Sequence, residues 1–406
     1  MLQTFCKRKH MIYMSLPVLG PILEGFAEYL AQLGYSQVAI QRRLHITPQI
    51  DRQLQKHKCY FINDLQRDIL RRCKPNSRGS QTKIEILATI KLLEKYLEIC
   101  GTLAPEPISQ IEKKIINYQT YLHHTCGFST PTVRAHCLIA SRFISKFNSA
   151  GYFDSLSKLT STHIEDFLLD SAKKVGRDRL RHIAAYLRSY LRFLVICGEA
   201  PVGIDKLVDA PHVYREEKLP RTLEWETVHT LLSSIDRTTA LGKRDYAMLL
   251  LIATYGLRAG EVVSLKLEDI EWKSSQIRIC QHKTSTILLL PLINSVGESI
   301  LEYLRYGRPK VSFREIFVRH RTPGGVLKAT AVSEVFQACS RRSGLEISFQ
   351  GPHCIRHSFA VHLLRQGVSL KAIGDILGHK DIQSTYTYLR LNLEDLRSVP
   401  LCIPTL

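Results

Sequence analysis

The residues best suited to chemistry in this 406-residue chain lie near its carboxyl end. Tyr388 follows His379 by nine residues, and both stand downstream of a His-x-x-Arg pair, His353 and Arg356. A phenol can attack a phosphorus atom, and the phosphorane that forms carries extra negative charge. Arginine suits that charge because its planar guanidinium stays protonated and donates two hydrogen bonds at once. Three residues apart at a predicted helix start, His353 and Arg356 can face one anion.

Two earlier segments supply further candidates. In YGLRAGEVVSLKLEDI (255–270), Arg258 lies between two glycines that let the backbone approach a phosphate, and Glu261 is spaced to orient it. In HKTSTILLLP (282–291), Lys283 falls at the tip of a predicted hairpin, where a flexible ammonium can reach a leaving oxygen. Taken singly, these features also fit a surface arginine–glutamate pair and a polar turn lysine.

A second tyrosine competes with Tyr388 for the role of nucleophile. Tyr386 lies two residues earlier on the helix predicted over 381–390. Residues two positions apart on a helix point about 200° away from each other, so only one of these side chains can face a bound phosphate. The spacing from His379 favours Tyr388.

In their order along the chain, these residues resemble the motifs of the tyrosine recombinase, or phage integrase, family. GLRAGEVVSLKLEDI looks like the first box of that family, and LGHKDIQSTYTYL looks like the third. HCIRHSFAVHLL is similar to the second box, with Ile355 where leucine is more usual. The resemblance covers residues 215–395 strongly and residues 111–197 more weakly.

The resemblance implies a role for each residue that contacts the phosphate. Tyr388 would attack the scissile phosphate, form a 3′-phosphotyrosyl link and release a 5′-hydroxyl. Arg258 and Arg356 would bind the non-bridging oxygens, with Glu261 supporting Arg258. His379 would donate a hydrogen bond to the same phosphate.

The resemblance also assigns the proton transfers. His353 would assist proton transfer near Tyr388, and Lys283 would protonate the leaving 5′-oxygen. The covalent link conserves the phosphodiester energy, so rejoining would need no ATP, and the sequence has no GxxxxGK[ST] loop. We therefore expect no cofactor and no metal.

The charge of the chain favours a polyanionic partner. Its 56 Lys and Arg residues against 37 Asp and Glu give a net charge of +19. Nucleic acid is the first expectation for such a charge, and an anionic membrane surface is the second. The resemblance narrows this to double-stranded DNA, with a homo- or hetero-tetramer of recombinases on two DNA sites and no membrane.

Cysteine usage and the amino-terminal segment bear on location. The 11 cysteines include no CxxC pair and are odd in number, which favours reduced thiols over a zinc ribbon or a disulfide framework. Pro17, Gly20 and Pro21 interrupt the apolar run near the start, so we interpret that run as a lead-in rather than a signal peptide. We expect a cytoplasmic, nucleoid-associated protein.

A helix predicted over 171–196 carries a basic stripe beside an apolar one. Its four stripe arginines fall within about 60° of one another at 100° per residue. Such a face can follow DNA phosphates, although a solvated basic face is the alternative. The stripe consists of Arg177, Arg181, Arg188 and Arg192.

The pattern of elements predicts a mainly α fold with a small β-sheet. Helical, SAM-like core-binding units would precede a mixed α/β catalytic domain. Helices are predicted at 22–33, 111–123, 224–235, 243–257, 328–342, 355–366 and 369–377, and strands at 277–280 and 287–290. The domains are predicted as a helical extension at 1–110, a core-binding domain at 111–197, a linker at 198–220, the catalytic domain at 221–395 and a tail at 396–406.

The amino-terminal extension resembles the core-binding segment that follows it. The predicted helices 22–33 and 111–123 share aromatic and apolar positions. They are followed by Gly34-Tyr35-Ser36 and by Gly127-Phe128-Ser129, at an offset of 92 to 95 residues. A weak internal duplication is one explanation, and chance similarity between amphipathic helices is the other.

Two rival functions share parts of this pattern. A type IB topoisomerase-like enzyme uses the same chemistry to relax DNA, and a non-catalytic DNA-binding accessory protein could retain the same fold. The core-binding segment and the His-x-x-Arg box favour a recombinase. The long amino-terminal extension leans towards a mobile element.

Overall fold

The computed structural model describes residues 10–73, 80–106, 108–149, 153–214, 217, 219–281, 286–321, 323–347, 351–379, 381 and 383–391. This part of the chain packs as two compact units. One unit contains residues 1–104 and 219–406, and the other contains residues 105–218. The fold is mainly α with one small sheet, as predicted from the sequence.

The described residues between 10 and 104 form helices around an apolar core of their own. Phe26 and Leu30, one helical turn apart, are fully buried in it. Ser36 caps the second long helix by accepting a hydrogen bond from the Ala39 amide. The helices are α1 (His10–Met14), α2 (Leu23–Gln32), α3 (Gln37–Lys56), α4 (Arg67–Arg72) and α5 (Ser80–Ile99).

The unit of residues 105–218 has a closely similar order of helices. They are α6 (Gln110–His124), α7 (Thr130–Ser149), α8 (Ser161–Ala172) and α9 (Arg177–Ile196). One of these helices ends at Ala172, and α9 begins after Gly176, whose backbone is extended. The prediction of one helix over 171–196 is therefore wrong at its start. In the predicted linker, Ile204 and Val208 are buried against the core of this unit.

Residues 219–391 contain the sheet and eight helices among those described. The helices are α10 (Trp225–Ser233), α11 (Ala240–Tyr255), α12 (Ala259–Ser264), α13 (Asn294–Tyr306), α14 (Ala329–Ser343), α15 (His353–Arg365), α16 (Leu370–Leu377) and α17 (Gln383–Tyr386). The antiparallel strands β1 (Ile270–Glu271), β2 (Gln276–Gln281) and β3 (Thr286–Pro291) lie in that order. Alternate residues of β2, among them Ile277 and Ile279, are buried against the helices.

The carboxyl-terminal helix is shorter than its pattern predicts. The helix expected over 381–390 is α17 alone, followed by a turn and a short 3-10 helix, Leu389–Leu391. Tyr388 therefore lies in the turn rather than on an α-helix, and its backbone amide donates to the Thr385 carbonyl. The predicted tail at 396–406 lies outside the described residues.

None of the helices in the described ranges is long and apolar enough to span a bilayer.

Candidate active site

The turn between α11 and α12 holds the first arginine rigidly. Gly256 ends α11 at φ 63°, where a Cβ would lie 2.5 Å from the Leu377 side chain, so a residue without Cβ is required. Arg258 then precedes α12, and Glu261 accepts both from its backbone amide (2.8 Å) and from Nη1 (2.7 Å). This buried carboxylate fixes the guanidinium, as the Arg–Glu spacing predicts.

Arg356 is the most deeply buried cation of the site, with 2 % of its surface exposed. Nη1 donates to the Gly256 carbonyl, and Nη2 donates to the Leu377 carbonyl at 2.8 Å and to His379 Nε2 at 3.2 Å. Burial, followed by the positive charge of Arg258, lowers the pKa of Arg356 to about 10. Its hydrogen-bond partners within the described ranges are neutral, so an incoming anion would supply the missing counter-charge.

His379 follows the left-handed Gly378 that ends α16, and its ring lies between two partners. Because a guanidinium only donates, Nε2 accepts from Arg356, and Nδ1 donates to Thr385 Oγ1 at 2.9 Å. Burial and then the charges of Arg356 and Arg258 lower the pKa of His379 to about 4. The imidazole is therefore neutral at physiological pH.

The hydroxyl of Tyr388 faces the same pocket. Its side chain is 2 % exposed, and its ring stacks on that of His379 with centroids 6.3 Å apart. Burial raises the pKa of Tyr388, and the charges of Arg356 and Arg258 oppose that rise. Tyr386, the rival nucleophile, is 46 % exposed and ends α17. The 200° separation predicted for one helix does not apply, because Tyr388 lies in the turn that follows, and the choice of Tyr388 as nucleophile stays a prediction.

His353 begins α15 and is exposed, and its ring contacts a histidine that sequence reasoning missed. The ring of His357 meets that of His353 edge to face at 4.6 Å, and His357 Nδ1 lies 3.1 Å from the Tyr388 hydroxyl. The signal was present, because His357 follows Arg356 directly and lies one turn after His353. Histidine spacing alone does not reveal which ring reaches the phenol.

Lys283 lies outside the described residues, but the strand before it packs on the site. Gln281, at the end of β2, is buried, and its amide lies 2.0 Å from where a Cβ on Gly378 would stand. The base of the hairpin therefore touches the turn that presents His379. No motif or spacing in the sequence indicates a role for Gln281.

The four arginines of the basic stripe lie together on α9. Arg177 pairs with Glu217, Arg188 donates to the Val208 carbonyl at 2.6 Å, and Arg192 lies 3.4 Å from Asp205. Arg181 is exposed, without a partner in the described part of the chain. Acidic and carbonyl groups of residues 205–217 thus bind three arginines predicted to contact DNA.

The arrangement suits an anionic, tetrahedral substrate that is attacked by a phenol. Two guanidiniums and a neutral imidazole converge near one hydroxyl, which is the constellation needed to stabilise a phosphorane. Among the described residues, no three His, Cys, Asp or Glu side chains are grouped so that they could hold a metal ion.

Comparison with known proteins agrees with this chemistry. A model described as the phage integrase family matches residues 221–395. The putative integrase/recombinase y4rA of Sinorhizobium fredii is 29 % identical over 401 residues, covering 96 % of this chain and 97 % of that protein. Tyrosine recombinase XerD of Listeria innocua is 30 % identical over 278 residues, covering 67 % of this chain and 92 % of that protein.

A solved structure shares the fold. The XerH site-specific recombinase, bound to its difH substrate in a pre-cleavage complex, superimposes with a TM-score of 0.53 at 18 % identity. The match covers 87 % of this chain and 96 % of that one.

Proposed function

The chain belongs to the tyrosine recombinase, or phage integrase, family, and on that premise we propose that it cuts and rejoins duplex DNA at specific sites with Tyr388 as the nucleophile. The observation that carries the proposal is the buried Tyr388 hydroxyl in one pocket with Arg258 and Arg356. Tyr388 attacks the scissile phosphate, forms a 3′-phosphotyrosyl link and releases a 5′-hydroxyl.

The two guanidiniums bind the non-bridging oxygens. Arg258 is held by Glu261, while Arg356 is buried among neutral acceptors, so a phosphate anion satisfies a charge that the fold leaves uncompensated. His379 accepts from Arg356 in the free protein. Once the guanidinium has turned to the anion, His379 donates to the phosphate from Nε2 in its other tautomer, with Nδ1 accepting from the Thr385 hydroxyl. Lys283 protonates the leaving oxygen, and His353 assists proton transfer beside Tyr388.

We propose double-stranded DNA as the partner, bound in a tetramer of recombinases on two sites in the cytoplasm, on the nucleoid. The net charge and the exposed Arg181 on α9 support a phosphate-following surface, while the other three stripe arginines contact acidic or carbonyl groups of their own unit. The relative matching nearly the whole chain is named an integrase/recombinase, which supports a role in a mobile element. A topoisomerase would relax supercoils without exchanging partners, so exchange between two marked duplexes separates that rival.

Covalent capture tests the proposal. The protein is incubated with a randomised duplex library carrying single nicks, because loss of the short fragment next to the nick prevents rejoining. Protein-linked DNA that survives denaturation should be enriched in one sequence, and Tyr388→Phe should give none while still binding DNA. Tyr386→Phe, the matched control, should give wild-type capture. Capture by Tyr388→Phe, or by neither the wild type nor the variant, would contradict the assignment.

We further propose that residues 1–104 and residues 105–210 are two copies of one fold, called the first copy and the second copy. Helices α3 and α7 have 20 residues each, as do α5 and α9, and the final pair is offset by 97 residues. In each copy, two aromatic rings one turn apart on one helix, α2 or α6, contact one ring on the last helix, α5 or α9. These trios are Phe26, Tyr29 and Tyr96, with centroids 5.7 and 5.6 Å apart, and Tyr118, Tyr121 and Phe193, with centroids 5.2 and 5.1 Å apart.

The duplication suggests a DNA-binding role for the first copy. At the 97-residue offset, the exposed Lys91 and Lys95 take the places of Arg188 and Arg192. Ile84, 57 % exposed, stands at the place of Arg181, so the first copy carries a shorter basic stretch. We propose that Lys91 and Lys95 contact DNA phosphates.

A further inference from the structure

The imidazole in contact with the Tyr388 hydroxyl is that of His357, a residue of the second box to which the resemblance assigned no role. His357 Nδ1 lies 3.1 Å from the hydroxyl, within hydrogen-bond reach of the reacting atom, and the two ring centroids are 5.6 Å apart. We propose that His357 is the general base that takes the phenolic proton as Tyr388 attacks. This inference rests on the proposed function, in which Tyr388 is the nucleophile.

The surroundings of His357 keep it neutral, as a base must be. Burial is the main cause that lowers the pKa of His357 to about 4, followed by the charges of His353, Arg356 and His379. His353 and Arg356 lie on α15 itself, and His379 is the second residue after α16. Tyr388 faces His357 from the turn after α17. A neutral ring with its proton on Nε2 offers the Nδ1 lone pair to the phenol.

The proton and the electrons balance along this route. The Tyr388 Oη–H bond breaks and the proton moves to His357 Nδ1, while the Oη–P bond forms and the bond from phosphorus to the 5′-oxygen breaks. The leaving oxygen takes its proton from a separate acid, the role proposed for Lys283. In rejoining, His357 returns its proton to the departing phenolate, so both directions use one residue.

Substrate binding makes His357 a better base than it is in the free protein. Arg356, which lowers the pKa of His357 after burial and His353, is also one of the groups proposed to bind the phosphate. A phosphodiester brings one negative charge into the pocket and offsets the charge of Arg356, so the imidazolium of His357 is stabilised when it must form. His357 is therefore a stronger base when substrate is bound than in the free protein.

The neighbouring histidines are less well placed for this step. Both nitrogens of His379 are engaged, Nε2 by Arg356 and Nδ1 by Thr385. His353 is exposed, and its ring contacts the ring of His357 rather than the Tyr388 hydroxyl. His353 is thus positioned to connect His357 with solvent.

Single-turnover cleavage of the duplex enriched by covalent capture tests the proposal. His357→Asn keeps a polar group in the site but cannot take the proton, so covalent-complex formation should fall about 100-fold or more. His362→Asn, the same change farther along α15, should cleave like the wild type. The two proposals fail in different ways. If the wild-type protein captures no DNA, the proposed function fails, whereas a wild-type cleavage rate in His357→Asn contradicts only the role of His357.

The pH dependence separates a base from a packing residue. Measured at subsaturating concentrations, the wild-type rate reports ionisations of the free protein, in which His357 is neutral above its low pKa, so this rate should not rise through ionisation of His357 between pH 6 and 8. In His357→Asn, hydroxide must remove the proton, and the rate should rise about tenfold per pH unit below the tyrosine pKa. A wild-type rate in the variant, or a slow variant with an unchanged pH profile, would overturn the proposal.

Two further measurements keep the test informative if the variant is slow for another reason. A 5′-bridging phosphorothiolate duplex has a leaving group that needs no acid, so it should restore Lys283→Ala but leave His357→Asn slow. Added imidazole should speed His357→Ala at least several-fold and leave His362→Asn unchanged. Restoration of His357→Asn by the phosphorothiolate, or no rescue of a variant that binds DNA normally, would contradict the proposal.

Discussion

At the residue scale, the two arginines of the site have the same chemistry but different surroundings. Arg258 pairs with Glu261 and keeps 23 % of its side chain exposed, whereas Arg356 is buried against two carbonyls and an imidazole. The paired arginine is oriented by a charge. The buried one is oriented by the backbone of two distant segments.

This difference predicts different outcomes for one conservative change. Arg356→Lys cannot span both the Gly256 and Leu377 carbonyls, so we expect a loss of about 1–3 kcal/mol of stability together with loss of cleavage. Arg258→Lys should also lose cleavage, because the planar fork is gone, but should unfold close to the wild-type temperature. Thermal denaturation and covalent capture measure the two effects. Equal destabilisation by both changes would refute this account of Arg356.

At the element scale, the loop after α16 is positioned from behind by the hairpin. Gly378 adopts φ 63°, and Gln281 fills the space that a Cβ at Gly378 would need. His379, the next residue, is therefore placed by β2 as well as by its own helix. The hairpin that carries Lys283 and the turn that carries His379 are coupled through one glutamine.

Gly378→Ala should therefore displace His379 and slow covalent-complex formation by about tenfold or more, since misplacement by about 1 Å can cost that much. Gly344→Ala is the matched control, because Gly344 also ends a helix at φ 68° but has open space where its Cβ would lie. Both changes should cost about 1 kcal/mol from the left-handed backbone. Adding Gln281→Ala should recover part of the Gly378→Ala rate, and identical cleavage defects in the two glycine variants would contradict the coupling.

At the scale of the whole molecule, we expect the net charge and the proposed duplication of the helical unit to affect DNA affinity rather than the chemical step. The net charge of +19 predicts binding that weakens steeply with salt. The proposed first copy has an apolar core of its own, so we expect charge changes on its surface to leave the chemical step unchanged.

Reversing two charges on that copy tests its role. Lys91→Glu with Lys95→Glu should weaken DNA binding and reduce the slope of log affinity against log salt by about 2, because each phosphate contact contributes about 0.9. Lys56→Glu with Lys58→Glu makes the same charge change in the same copy, at the end of α3, and should have a smaller effect. Salt titrations of both double variants decide the matter, and equal slopes would attribute the effect to net charge alone.

The sequence by itself determined the mainly α fold, the family and the motif residues, since these depend on local spacing. Glu261, in the first turn of α12, reaches back to Arg258 just before that helix, and His353 and Arg356, three residues apart on α15, share a helix face. Only the tertiary structure decided that His357 reaches Tyr388, that Gln281 packs on Gly378 and that Tyr388 lies in a turn. These features join segments 30 to 100 residues apart or depend on where a helix stops, and periodicity within one segment carries no information about which neighbour another segment supplies.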